Sequence, residues 1–108
     1  MKVIYIGMFN EQGYAGLAES SYAKRKEVVE AIATAVGGKL LDLMYLQGDW
    51  DMAAIMEMPD IETASGLMKS VVGSGVWEEM MMFPEFDLDK GLKAINAVKS
   101  VFKAPGAE

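Results

Sequence analysis

KLLDLMYLQGDWDMAAIMEM, residues 39–58, consists of two apolar runs of strand length around Gln47-Gly48-Asp49, and it reads as a β-hairpin: Lys39–Leu46, a turn, then Trp50–Met58. A helix pattern flanks the hairpin on each side. Upstream, from about Ser21, the residues Tyr22, Arg25, Val28, Val29, Ile32, Ala33 and Val36 recur at three- and four-residue spacing, and Gly37-Gly38 supplies a C-cap. Downstream, Pro59 ends the second run and Asp60 caps a helix to about Val72, with Ile61, Ala64, Leu67, Met68 and Val71 on its inner stripe. Gly73-Ser74-Gly75 breaks it.

Two further strands lie outside these helices. Lys2–Phe9 is rich in β-branched and aromatic residues and stops at the polar stretch Asn10–Gly16, so Asn10–Ser20 reads as the longest loop. Val76–Phe83 is the fourth strand, punctuated by Pro84. Asp87 then opens a last helix with Leu88, Leu92, Ile95, Val98 and Phe102 on one face. The order βαββαβ plus a C-terminal helix is that of an α+β, ferredoxin-like sandwich, with two helices on one face of a four-stranded antiparallel sheet. It forms one domain over residues 1–103, its last helix starting at about 87, with a frayed tail at 104–108.

The strand pattern also bears on assembly. Val3-Ile4-Tyr5-Ile6 and Met52-Ala53-Ala54-Ile55-Met56 are apolar on both faces, whereas a half-solvated strand alternates. Two helices cover one sheet face; the other needs the last helix, a second copy of the chain, or both. A homodimer or higher even oligomer is the economical expectation.

Composition narrows the chemistry. Sixteen acidic against ten basic residues leave a net charge of −6, which repels phosphate backbones and anionic lipid, so neither nucleic acid nor membrane is an expected partner. Cysteine and histidine are both absent, which removes thiolate nucleophiles, disulfides, the serine triad and the usual zinc ligands, and fits a cytoplasmic address. No glycine-rich stretch has nucleotide-binding spacing and no carboxylate cluster has metal-ligand spacing, so neither a cofactor nor a metal is expected.

What remains for a site is carboxylates, tyrosines, cations and apolar surface. By period-two alternation Asp51 shares a strand face with Ala53, Ile55 and Glu57. If that face is covered, Asp51 and Glu57 either find a cation such as Arg25 or become candidate acid–base groups, with Tyr45 as a third. Lys24, Arg25 and Lys26 crowd the first turns of a helix, where free backbone N–H groups also attract anions; pairing with nearby glutamates is the simpler explanation. Methionines fall largely in the strands, and Met52 and Met56 with Trp50 and Trp77 are candidates to line an apolar ligand pocket with Arg25, against plain core filling.

The segments Gly48-Asp49-Trp50-Asp51 and Glu57-Met58-Pro59-Asp60 resemble the most recognisable stretch of the GYD-domain family of small proteins. The resemblance runs from about Val3 to Phe86 and takes in Asn10-Glu11-Gln12-Gly13, Arg25 and Gly37-Gly38. It implies a ferredoxin-like fold of the dimeric α/β-barrel type and carries no assigned reaction. Trp50 stands where the family has its tyrosine, leaving no phenolic hydroxyl there, while Gly48 and Asp51 match. Three functions stay open: binding a small apolar or anionic metabolite, cofactor-independent catalysis of a monooxygenase or isomerase kind, and an accessory role in which the last helix docks on another protein.

Overall fold

Tyr5 marks the centre of the molecule. In the computed structural model, which describes residues 1–108, β1 (Lys2–Phe9) pairs antiparallel with β3 (Met52–Glu57) on one side and with β4 (Trp77–Pro84) on the other, so Tyr5 stands between Ala54 and Met82. Strand β2 (Lys39–Tyr45) pairs antiparallel with β3 and completes the order β2-β3-β1-β4, the expected ferredoxin-like arrangement. Pro84 closes β4, which tolerates a residue without an N–H because it is an edge strand.

The helices begin where short polar side chains can accept a free N–H. Ser21 accepts from Lys24 at 3.2 Å to start α2 (Tyr22–Ala35), Asp60 from Thr63 at 2.7 Å to start α3 (Ile61–Val72), and Asp87 from Lys90 at 3.1 Å to start α4 (Leu88–Lys99). Gly37, at φ +77°, ends α2 in a Schellman turn: its N–H donates to Thr34 and that of Gly38 to Ala33.

The stretch expected to be a loop is in part a helix, α1 (Glu11–Ala18). Asn10 caps it by accepting from the Gly13 N–H, and ties it to the end of α3 by donating to the Gly75 carbonyl at 2.7 Å. Gly13 and Gly16 lower helix propensity by about 1 kcal/mol each relative to alanine, which hides the helix from its sequence. Gly13 is there for packing: a Cβ would run into the Val76 carbonyl and stand 2.7 Å from the Phe9 ring.

Parity divides the sheet. Val3, Tyr5, Gly7 and Phe9 of β1 face α2 and α3 with Met52, Ala54 and Met56, and the buried core lies on this side. Ile4 and Ile6 face away, aligned with Ile55 and Ala53 of β3 and with Phe83 and Met81 of β4. That second face is uncovered, and Ile4, Leu41 and Phe83 on it are each 40% exposed or more. Helix α4 does not cover it: no residue of α4 is buried, and the chain measures 59 × 30 × 24 Å. Its radius of gyration, 17.9 Å, exceeds the about 13 Å of a compact chain of this length because α4 stands off the body. The elongated shape and exposed apolar residues are features of the kind that an oligomer interface buries.

Candidate functional site

Helix α2 lies over β2 at one edge of the sheet and α3 over β4 at the other, and the space between them holds an apolar cavity of about 200 Å³. Fifteen residues line it, 13 of them hydrophobic. Tyr5, Met52, Ala54 and Met56 form the floor, Val28 and Ile32 of α2 one wall, and Leu67 and Val71 of α3 the other. Trp77 and Tyr45 stand at the ends of their strands. The Trp77 ring lies over Gly7, where a Cβ would collide with it, and stacks on Phe9 at a centroid distance of 4.2 Å and 19° between planes. Tyr45 meets the edge of Tyr22 at 6.3 Å, and Tyr22 is itself fixed by donating 2.8 Å to the Leu43 carbonyl.

Arg25 is the cationic member of this lining. It is half-buried, and its guanidinium forms neither an ion pair nor a hydrogen bond within the chain; the ion pairs present are Met1 ammonium–Glu57 and Lys26–Glu30. Arg25 and Val76 also line a second hollow of about 230 Å³ floored by α1 residues Gly13 and Gly16, with Gln12 and Ser20 at its rim. The guanidinium therefore sits where the apolar cavity meets a more polar one, with its five donors available to a carboxylate.

Of the sequence candidates, the structure gathers Arg25, Trp77, Met52, Met56 and Tyr45 around this cavity. Trp50 lies outside it, in the turn between β2 and β3. Asp51 immediately precedes β3, and its backbone still bonds to Gly7 on one side and Leu46 on the other. Its carboxylate accepts from the Phe9 N–H at 2.8 Å and the Tyr14 hydroxyl at 2.6 Å, so it pins the hairpin to β1 and α1 instead of meeting Arg25. Glu57 is at the other end of β3, about 20 Å away at strand rise, and accepts from the Met1 ammonium at 3.0 Å. The two carboxylates do not converge. Gly7 and Val76 escaped notice in the sequence; among the strand methionines, the alternation of Met80, Met81 and Met82 separates Met80, in the cavity lining, from Met81, since only one parity of β4 can face the helices.

The bond from Asp51 raises the Tyr14 pKa above its ordinary value of about 10; some desolvation and the carboxylate's charge add to this. A tyrosine whose folded pKa is raised stabilises the fold below about pH 10, and that stabilisation is lost as pH rises through the raised value. Phenolate absorbance is therefore expected to show Tyr14 ionising late, together with Tyr5, whose burial raises it as well. Asp51→Asn is expected to bring Tyr14 back toward the ordinary range; an unchanged titration would show that the Tyr14–Asp51 bond does not form in solution.

A ferredoxin-like sheet with an apolar cavity under its helix layer and a lone arginine at the cavity edge defines a small α+β sandwich. The chain belongs to the GYD-domain family, whose GYD domain matches residues 4–95. No curated protein matches it. Two motif residues of the family pattern have a visible structural task here. Gly48 adopts φ +123°, a backbone conformation that favours glycine, and Asp51 ties the turn to β1.

Proposed function

We propose that the protein binds a small metabolite with an apolar body and a carboxylate, and that it does so as a homodimer or higher even oligomer. The observation that carries this reading is the unpartnered Arg25 guanidinium at the edge of the apolar cavity. At about 200 Å³ the cavity is smaller than the about 300–1,000 Å³ of drug-sized sites, which points to a compact ligand. Each buried methylene contributes about 0.8 kcal/mol and the aromatic rings of Trp77 and Tyr45 favour a flat or branched body. The carboxylate pairs with Arg25, bidentate in the favourable geometry, and the second hollow leaves room for polar substituents. Catalysis has no comparable support, since the candidate carboxylates lie apart from the cavity and from each other.

Calorimetric titration with 4-phenylbutyrate and with 4-phenylbutanol, matched in apolar body, tests this. The acid is expected to bind with a dissociation constant below about 1 mM and the alcohol at least tenfold more weakly, since a charge-assisted hydrogen bond contributes about 1.5–3 kcal/mol. Equal affinities would remove Arg25 from the reading, and no binding of either would remove the cavity.

A further inference from the structure

Helix α4 carries an apolar stripe with nothing on it. Leu88, Ile95, Val98 and Phe102 are each more than half exposed, and Leu92 is 42% exposed. A 12-residue helix is marginal in water unless a surface takes its apolar face. The body of the same chain does not take it, and its one close approach at the start of the helix is local. The Phe86 ring occupies the space where a side chain at Gly91 would stand, so a glycine in mid-helix, unfavourable by about 1 kcal/mol, is the condition for that contact.

The uncovered sheet face supplies a matching receptor. It bears a shallow trough of about 530 Å³, lined by Ile4, Leu41, Ile55 and Phe83 and flanked by Lys2 and Glu85. Charge is complementary as well. The segment after Asp87 holds Lys90, Lys93, Lys99 and Lys103 against Asp89 and Glu108, a net of +2, so residues 1–87 carry −8. Lys99 follows Ile95 by one turn and so borders the stripe, while Asp42 and Glu79 stand on the trough's face of the sheet and Glu57 at its end.

We propose that α4 of each chain lies along the sheet-face trough of a second copy, in a reciprocal exchange that buries both apolar surfaces. This rests on the self-association proposed above and deepens it by naming the two elements that meet. A second copy is the occupant because one chain carries both halves, a basic apolar helix and an acidic body with an apolar trough. A two-fold axis then forms every contact twice and leaves neither half over.

The absence of cysteine makes the test direct. Full-length Ile4→Cys and Ile95→Cys chains, one of them isotopically heavy, are mixed, refolded together and treated with a short bismaleimide; both positions are exposed, so the body tolerates the changes. The expected result is a cross-linked pair joining Cys at 4 of one chain to Cys at 95 of the other. Products confined to like pairs, or none in a sample that light scattering shows to be dimeric, would overturn the exchange while leaving self-association in place. A monomer at every concentration would overturn both.

Discussion

Arg25→Met is expected to weaken binding of 4-phenylbutyrate by about ten- to a hundredfold, the equivalent of a charge-assisted pair worth about 1.5–3 kcal/mol, while leaving 4-phenylbutanol almost unaffected. The substitution isolates the charge because methionine keeps most of the apolar stem that packs beside Val28 and Val29 on α2. It should leave the thermal midpoint within a few degrees, since Arg25 has no partner in the chain to orphan. Loss of affinity for acid and alcohol alike would mean that the stem shapes the cavity and the guanidinium does not read a carboxylate. Arg25→Lys, which keeps the charge and loses the planar fork, should fall between wild type and Arg25→Met.

The other large effect falls on stability. Gly13→Ala should destabilise the fold by about 3 kcal/mol, the upper part of the range for overpacking, because the new methyl would meet the Val76 backbone carbonyl and the Phe9 ring. A backbone carbonyl that accepts from the Asn10 N–H at 3.1 Å, one residue before β4, cannot turn aside as a side chain can. The α1 helix must therefore lift, which breaks the Asn10 cap and loosens the Phe9–Trp77 stack at the end of the cavity. Gly16→Ala is the control: a Cβ there meets nothing, and relief of the glycine in α1 should stabilise the helix by about 0.5–1 kcal/mol. Chemical denaturation of both variants checks the pair, and equal midpoints would show that α1 does not pack as described.

The architecture was legible because local and tertiary preferences agree along most of the chain. Each of Ser21, Asp60 and Asp87 caps the helix whose start it marks in the sequence, and Gly37 ends α2 at positive φ. The apolar doubling of Val3-Ile4-Tyr5-Ile6 announced a sheet with two faces to cover, one by helices and one left open. What stayed hidden depended on contacts distant in sequence. Gly13 weakens α1 locally and is required by Val76, which is 63 positions away in the chain and visible only in the fold. Asp51 was a candidate to meet a cation such as Arg25, and its partners are instead the Phe9 N–H and the Tyr14 hydroxyl, 42 and 37 positions away in the chain. The cavity set of Arg25, Trp77, Met52 and Met56 was readable as residue types suited to a pocket, while Trp50, equally suited by type, belongs to the turn. The close approach of Phe86 to Gly91 in α4 is likewise a contact that no periodicity reveals.

The ten methionines provide the most direct test of the ligand site, because they sample both faces of the sheet. Met52, Met56 and Met80 line the cavity, while Met44 and Met81 stand on the uncovered face. In a 13C-methyl spectrum followed through titration with 4-phenylbutyrate, the cavity methyls are expected to move together and saturably, with Met44 and Met81 unchanged. Shifts at Met44 and Met81 with a silent cavity would place the ligand on the other face and contradict the site.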